Sequence, residues 1–260
     1  MKSPVHFHPK PSNLFHSHFV VAIVCLVACL FTATAPASER RFAFTYEATT
    51  QPKGAFEFEN WVTWKAGNSD SVFDFRHEIE YGVTDRFQLA LYLADWRVEN
   101  GRAIYRDSAL EMIYNLTNPT TDWLGSALYG EIQLGDRKFE LEGKLILQKN
   151  VGRWVFAYNA TLEAEWEGDS SWHFDERKGV IEQTAGASYQ FSPRFLLGAE
   201  ILHEVEFEDW SDTGDPLVYA GPNASWRTGY FWVTATSLVQ LTGLSSEPDF
   251  QTRMIVGFDF

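Results

Sequence analysis

Acidic residues spaced two positions apart recur along this sequence and could carry chemistry. Glu140 with Glu142, and Glu163 with Glu165, offer the paired carboxylates that glycoside hydrolases use as acid and base. Along a β-strand, however, a spacing of two only places both side chains on the same face. We therefore interpret both pairs as parts of an acidic wall and not as catalytic dyads.

The overall composition is acidic and aromatic. The chain has 260 residues and a formal net charge of −14, and 16% of its residues are aromatic. It lacks the basic footprint that phosphate contacts need, so we exclude nucleic acid as a partner. Such a charge suits small cationic partners instead. Aromatic residues fit pleated sheets and also concentrate at membrane interfaces, so the composition favours a β-rich protein.

Alternation of apolar and polar residues runs through the chain after residue 54. In residues 72–81, Phe73 and Phe75 share one face of a predicted strand, while Asp74 and Arg76 share the other. Most such runs exceed the about 5–6 residues of a strand in a soluble protein and match the about 9–11 of a tilted membrane strand. Length therefore favours membrane-spanning strands over a soluble sandwich, which is the alternative.

About 12 long strands follow from this pattern. They are predicted at 55–65, 71–81, 86–97, 104–117, 125–134, 138–149, 153–166, 180–191, 194–206, 216–227, 229–241 and 250–260. Every second connection is a short turn, with one longer exception, and most of the others are longer and polar. This asymmetry is typical of outer-membrane barrels, whose short turns face the periplasm. We predict an all-β fold, a transmembrane antiparallel up-and-down β-barrel over residues 55–260.

The two faces of these strands are predicted to form two different walls of the barrel. The apolar face meets lipid, because a Lys or Arg at mid-bilayer costs about 2–4 kcal/mol, and the polar face meets the lumen. The predicted lumen carboxylates are Asp74, Glu78, Glu80, Asp107, Glu111, Glu131, Glu140, Glu142, Glu163, Glu165 and Glu200, and the predicted bases are chiefly Arg76, Lys144 and Arg253. Such a lining favours cations. We predict a small passive channel or solute-binding porin-like protein; a non-conducting structural or surface-binding barrel is the alternative.

Three histidines lie beyond residue 40: His77, His173 and His203. Outer-membrane phospholipases place a serine, a histidine and an amide on the lipid-facing wall, so a lipid hydrolase is a remote alternative. No serine lies near His77 or His203 in a recognisable motif, so we expect no enzyme. Asp169 and Asp175 lie near His173, but a solvated acidic loop is the favoured interpretation, and we predict no metal and no cofactor.

Residues 1–37 are predicted to be a signal peptide. The apolar run 19–31 is too short to span a bilayer comfortably, and it follows a basic region. It precedes the small-x-small cleavage site formed by Ala35 and Ala37. Cys29 ends a lipobox-like Leu-Val-Ala-Cys sequence, so lipidation at Cys29 is an alternative.

The two ends of the predicted barrel differ in character. At the C-terminus, Phe258 and Phe260 close an alternating strand, which resembles the aromatic signal for membrane insertion. Before the first strand, residues 38–54 are interpreted as a periplasmic entry segment, although their alternation also permits a thirteenth strand. We predict an exported monomer in the outer membrane, whose partners are membrane lipid, the barrel insertion machinery and small cationic solutes.

Two motifs resemble known families. Residues 50–59, Thr-Gln-Pro-Lys-Gly-Ala-Phe-Glu-Phe-Glu, and 80–89, Glu-Tyr-Gly-Val-Thr-Asp-Arg-Phe-Gln-Leu, are similar to uncharacterised bacterial outer-membrane β-barrel families. These include families loosely labelled "meta-pathway of phenol degradation". The resemblance is strongest over 44–95 and implies an outer-membrane barrel. The motifs contain no catalytic residues, and the label does not establish a role in phenol metabolism.

Overall fold

The computed structural model of the protein describes residues 40–67 and 70–260, and β-strands dominate them. The strands are β1 (Phe56–Gly67), β2 (Asp70–Thr84), β3 (Phe87–Glu99), β4 (Arg102–Thr117), β5 (Gly125–Gly135), β6 (Lys138–Val151), β7 (Trp154–Glu167), β8 (Glu176–Ser192), β9 (Phe195–Glu208), β10 (Asp212–Thr213), β11 (Leu217–Thr228), β12 (Phe231–Gln240) and β13 (Phe250–Asp259). Within this part of the chain, no helix has the length and apolar character needed to cross a membrane.

The twelve long strands close into one antiparallel barrel, and the two-residue β10 pairs only with β9. Each long strand pairs with its neighbours along the chain. The ring closes where β1 pairs with β13, for example Glu57 with Asp259. Closure satisfies the backbone hydrogen bonds of the strands, as a lipid environment demands. The prediction of an antiparallel barrel of about 12 strands is confirmed.

The strand bounds lie close to the predicted ones, with the largest difference at β8, which begins at Glu176 instead of 180. At one end of the barrel, the turn end, most connections are two-residue turns: 85–86, 152–153, 193–194 and 229–230. The longest connections, 168–175, 209–216 and 241–249, lie at the other end, the loop end. Short turns of bacterial barrels face the periplasm, so we assign the turn end to that side.

The outer wall of the barrel is apolar. Leu91, Leu128 and Leu162 are 47%, 50% and 63% exposed, in contrast to Glu111 and Glu131, which are buried on the opposite face of their strands. A continuous exposed apolar surface of this kind needs lipid around it. The strand faces are therefore divided into a lipid wall and a polar lumen wall.

Residues 40–54, which we name the inner segment, form no strand, yet Phe42 and Ala48 are fully buried. The inner segment lies within the half of the lumen next to the turn end, which we call the turn half. Side chains of several strands around the ring, such as Asn159 of β7 and Thr234 of β12, bind it there. The interpretation of 38–54 as a periplasmic entry segment stays a prediction; the structure adds that residues 42–48 are buried, with partners for their backbone on the lumen wall.

Candidate functional site

The carboxylate of Glu200 on β9 anchors the beginning of the inner segment. Its oxygens accept hydrogen bonds from three consecutive backbone N–H groups, those of Ala43 at 2.9 Å and of Phe44 and Thr45 at 2.8 Å. Hydrogen bonds to an ionised acceptor are about twice as strong as neutral ones. The sequence predicts Glu200 only as a lumen carboxylate, and its contact with the chain's own backbone is a finding of the structure.

Carboxamide side chains bind the next residues of the inner segment through their backbone. Asn159 accepts from Tyr46 N at 2.6 Å and donates to Tyr46 O at 3.0 Å. Ala48 N donates to Gln148 at 2.8 Å, and Ala48 O accepts from Asn115 at 2.6 Å. Tyr46 and Ala48 therefore have both backbone groups satisfied by the wall, as burial requires.

A glycine in the wall makes room for the aromatic beginning of the inner segment. Phe42 is fully buried and packs with Val155 and Ala157. A Cβ placed on Gly186 would lie 2.6 Å from Phe42 Cδ1. The absence of a side chain at Gly186 thus lets the Phe42 ring lie directly against β8.

The inner segment leaves the lumen through a turn that is held against the β2–β3 connection. Gly54, at φ 84°, donates its N–H to Gly82 O at 2.7 Å, and Gly82 N donates to Ala55 O at 3.0 Å. Lys53 N donates to Asp85 Oδ1 at 3.1 Å. The two motifs that carry the family resemblance therefore contact each other. Together they fix the path of the chain from the lumen into β1.

Arg40 lies among acidic side chains in the turn half. Its Nε contacts Glu59 Oε1 at 3.0 Å, and its Nη2 lies 3.5 Å from Glu80 Oε1 and 4.0 Å from Glu78 Oε2. Burial lowers the pKa of Arg40, but Glu59 and its acidic neighbours outweigh this effect and hold the pKa well above its ordinary value. The guanidinium is therefore charged, and its ion pairs help to hold the inner segment. Beside Arg40 and Thr49 lies a gap of about 20 Å³, which is room for about one water.

The half of the lumen next to the loop end, the loop half, is open. It contains a cavity of about 380 Å³, the vestibule, with Phe44 and Tyr46 of the inner segment in its lining. The charged lining comprises the bases Lys65, Arg76, Arg97, Arg106, Lys138, Lys144 and Arg253, and the acids Asp74, Asp95, Asp107, Glu140, Glu142, Glu163, Glu165, Glu182, Glu204 and Glu247. Seven bases thus face ten carboxylates. The vestibule is a polar cavity with a modest excess of negative charge.

Many of the predicted lumen residues form ion pairs. The pairs are Asp74–Arg97, Glu131–Arg76, Glu140–Lys138, Glu142–Lys144 and Glu165–Lys138, with closest N–O distances of 2.6, 3.1, 2.6, 2.7 and 2.6 Å. Glu111 accepts from the Tyr92 hydroxyl at 2.7 Å, and Asp107 is buried at the vestibule. Arg253 donates to Ala43 O at 3.3 Å, so this predicted base contacts the inner segment.

Further bases line the lumen beyond the predicted Arg76, Lys144 and Arg253. Arg40, Lys65, Arg97 and Lys138 also point inward and contact carboxylates. Three of these four lie at or near the ends of strands, where alternation cannot separate lumen positions from loop positions. Arg97 shares the alternating face of β3 with Asp95, and this alternation could have predicted that Arg97 faces the lumen.

Three glutamates of the vestibule stand apart from these ion pairs. Glu163, Glu182 and Glu204 lie on the consecutive strands β7, β8 and β9, and Glu182 is directly opposite Glu204 in the register. No basic group among the described residues lies within ion-pair distance of them. Like charges that face each other across strands destabilise a sheet. This acidic wall is therefore the part of the vestibule best suited to attract a cation.

The remaining predicted sites lie outside the lumen. His77 is on the lipid wall, where its Nδ1 pairs with Asn60 at 2.9 Å and its Nε2 accepts from the Trp96 indole at 3.0 Å. Phe258 faces outward on β13 and packs against Phe231, with ring centroids 5.3 Å apart, and Phe260 follows the end of that strand. The predicted cleavage residues Ala35 and Ala37 lie outside the described residues.

Two solved structures show the same fold at low sequence identity. One is the NanC porin, with 10% identity, a TM-score of 0.54, and coverage of 78% of this chain and 98% of that one. The other is an outer membrane channel from Pseudomonas putida F1, with 15% identity, a TM-score of 0.57, and coverage of 82% and 98%. Together with the apolar outer wall, these likenesses show a β-barrel of the outer-membrane type.

Family membership is defined over most of the chain. A search of the curated proteins found no significant match. A family model matches residues 34–254, which include nearly all of the barrel and the whole inner segment. The likeness to families labelled for phenol degradation stays a resemblance of the two motifs. The chain belongs to a family of unknown function, DUF6662.

Proposed function

We propose that this protein is a gated, porin-like barrel in which the inner segment closes the turn half of the lumen. The observation that carries the proposal is the seating of residues 43–48, whose backbone groups bind Glu200, Asn159, Gln148 and Asn115. Solutes enter the vestibule from the loop end and pass only when the inner segment moves. The closed ring of strands supports a monomer as the working unit.

The charges of the vestibule favour small polar solutes. Ten carboxylates and seven bases line the cavity, and the unpaired acids Glu163, Glu182 and Glu204 favour cations over anions. Apolar aromatic solutes, which the phenol-degradation label would suggest, offer no partners to these charged groups. We therefore propose cationic or dipolar solutes as the class that enters.

Single-channel recording in planar bilayers tests the gate with two matched variants. Glu200→Gln removes the charge that holds three backbone N–H groups, whereas Glu204→Gln removes a vestibule charge from the same face of β9. We expect long closed periods in the wild type and in Glu204→Gln, and frequent openings in Glu200→Gln. Identical gating in all three proteins would contradict the proposal.

The filled turn half favours a second candidate, a non-conducting barrel with a structural or surface-binding role. This candidate predicts that the wild type and Glu200→Gln both stay silent in bilayers. Asn159→Leu, which removes both contacts to Tyr46, provides an independent release of the inner segment. Silence of that variant as well would favour the second candidate over the gated barrel.

One feature supports the remote alternative of a lipid hydrolase, namely the pairing of His77 with Asn60 on the lipid wall. The ring nitrogen that would face a nucleophile instead accepts a hydrogen bond from Trp96. A histidine held in this way suits a structural role near the membrane interface. Purified protein is therefore expected to release no fatty acid from phospholipid vesicles.

A further inference from the structure

Five buried glutamates form a cluster beside Arg40 in the turn half, and we call them the Arg40 cage. They are Glu57, Glu59, Glu78, Glu80 and Glu111, and each is at most 2% exposed. Carboxylate oxygens of Glu57, Glu59 and Glu80 lie within 4.8 Å of one another, and so do those of Glu78, Glu80 and Glu111. Among the described residues, Arg40 is the base in ion-pair contact with the cage.

Arg40 satisfies only some of the carboxylate oxygens of the cage. Glu78 is fully buried, and neither of its carboxylate oxygens has a hydrogen-bond partner within the described part of the chain. Its contact with Arg40 is long, at 4.0 Å, and Glu111 Oε1 also lacks a partner there. Buried carboxylates that are incompletely paired are costly. The cage therefore favours a cation that is better placed than Arg40.

Two aromatic rings define the shape of the cation that fits. Arg40 Cζ lies 4.2 Å from the centroid of the Tyr46 ring and 4.7 Å from that of the Trp61 ring. At the same time, the guanidinium donates to Glu59 at 3.0 Å and to Glu80 at 3.5 Å. A flat, delocalised cation with forked donors uses both the rings and the carboxylates, whereas a compact hydrated cation uses only the carboxylates.

We propose that the Arg40 cage is a binding site for guanidinium-bearing solutes, and that Arg40 occupies it as an internal competitor. A solute guanidinium takes over the contacts with Glu59, Glu80 and the two rings. The start of the inner segment then loses its ion pairs and is released from the wall. The inference rests on the proposed function for the route by which a solute reaches the cage, whereas binding itself needs no open channel.

Chemical rescue tests the site in the exported protein in detergent. Arg40→Ala empties the cage, and guanidinium chloride is titrated calorimetrically at constant ionic strength. We expect saturable binding of guanidinium that is at least about tenfold tighter than that of tetramethylammonium, which has no N–H donors. Arg41→Ala is the matched control, because Arg41 pairs with Glu47 outside the cage at 2.6 Å, and it should bind guanidinium more weakly than Arg40→Ala does, since Arg40 still competes for the cage.

Several outcomes would overturn the inference. They are absence of saturable binding to Arg40→Ala, equal binding to Arg41→Ala, and tighter binding of Ca²⁺ than of guanidinium, which would instead identify a metal site. Adding Glu59→Gln to Arg40→Ala should abolish the binding, and retained affinity would also contradict the assignment.

A second measurement keeps the inference testable if Arg40→Ala does not fold. Thr49 borders the small gap beside Arg40, so a Thr49→Cys variant reports release of the inner segment through its rate of thiol labelling. Guanidinium should accelerate that labelling, and an unchanged rate would refute competition with Arg40. Neither measurement uses conductance, so a silent channel and a cage that binds no guanidinium are distinguishable results.

Discussion

The two halves of the lumen are built from similar residue types, but the inner segment fills one half and the other half contains a cavity. In the turn half, Glu200, Asn159 and Gln148 bind the backbone of the inner segment, and the gap beside Arg40 is about 20 Å³. In the loop half, glutamates such as Glu163 and Glu182 face a cavity of about 380 Å³. The two halves differ in what their polar side chains bind. A polar wall becomes a packed interior where a segment of chain supplies donors and acceptors to it.

Lumen charge alone is therefore a poor guide to an open path. The turn half contains a cluster of five buried glutamates beside Arg40, yet the inner segment occupies it. The loop half is closer to balance, with ten acids and seven bases, and it is open. Acidic residues in the turn half bind the chain's own cation and N–H groups, whereas Glu163, Glu182 and Glu204 of the loop half face the vestibule and form no ion pair with any other described residue.

The largest expected effect is in the turn half. Glu200→Leu leaves the N–H groups of Ala43, Phe44 and Thr45 without their acceptor, and each buried orphan costs about 1–3 kcal/mol. We expect hydrogen-exchange protection of these amides to fall by about a hundredfold or more. Glu204→Leu, on the same face of β9, is the control and should leave the protection intact. Protected amides in Glu200→Leu would show that the inner segment is held by other contacts.

A smaller effect is expected from crowding the same half. Gly186→Ala places a Cβ 2.6 Å from the Phe42 ring, and overpacking of this kind costs about 1–3 kcal/mol. We expect a higher open probability in bilayers, because the seated state of the inner segment loses stability. Gly143→Ala is the matched control, since nothing lies within 4 Å of the Cβ added there. Equal open probabilities in the two variants would show that the packing of Phe42 does not control gating.

In the loop half, the expected effect is on selectivity and not on closure. Replacing Glu163, Glu182 and Glu204 together by Gln removes the acidic wall, which forms no ion pair within the described part of the chain. This replacement is made in the Glu200→Gln background, in which the lumen is expected to open. The reversal potential in a salt gradient should move toward zero, which corresponds to a loss of cation preference. Glu140→Gln should change it less, because Lys138 already neutralises Glu140 at 2.6 Å. An unchanged reversal potential in the triple variant would place the selective constriction elsewhere.

The smallest effect is expected at the rim of the loop half. Arg177 and Asp209 form an ion pair at 3.2 Å with side chains that are 59% and 72% exposed. Exposed pairs contribute about 0–1 kcal/mol, and salt screens them. Arg177→Gln should therefore leave thermal unfolding and conductance nearly unchanged. A large loss of stability would mean that the rim is packed more like the turn half.

The barrel itself could be predicted from the sequence because each strand carries its own signal. Alternation over a membrane-spanning length specifies which side chains face lipid, as in 72–81, and short turns specify antiparallel neighbours. Closure then follows from the need to pair every strand edge. The strand count and most strand bounds agree with the structure for this reason.

The inner segment could not be predicted in the same way. Residues 41–49 alternate like a strand, and alternation cannot distinguish a strand from an extended segment held by side chains. The decisive partners, Glu200 and Asn159, are distant in sequence and appear there as ordinary lumen residues. Gly186 gives no local signal of the Phe42 ring that lies against it. The closed state of the turn half is therefore a tertiary property.

The central claim is that the inner segment must leave the wall before solutes pass, and a reversible tether tests it most directly. The Cβ position at Gly186 lies 3.1 Å from Phe42 Cγ, which brings a Phe42→Cys and Gly186→Cys pair close to the about 3.5–4.5 Å Cβ–Cβ separation of a disulfide. The sequence has no cysteine beyond Cys29. We predict a silent oxidised barrel and reversible openings after reduction. Conductance that is the same before and after reduction would contradict the account.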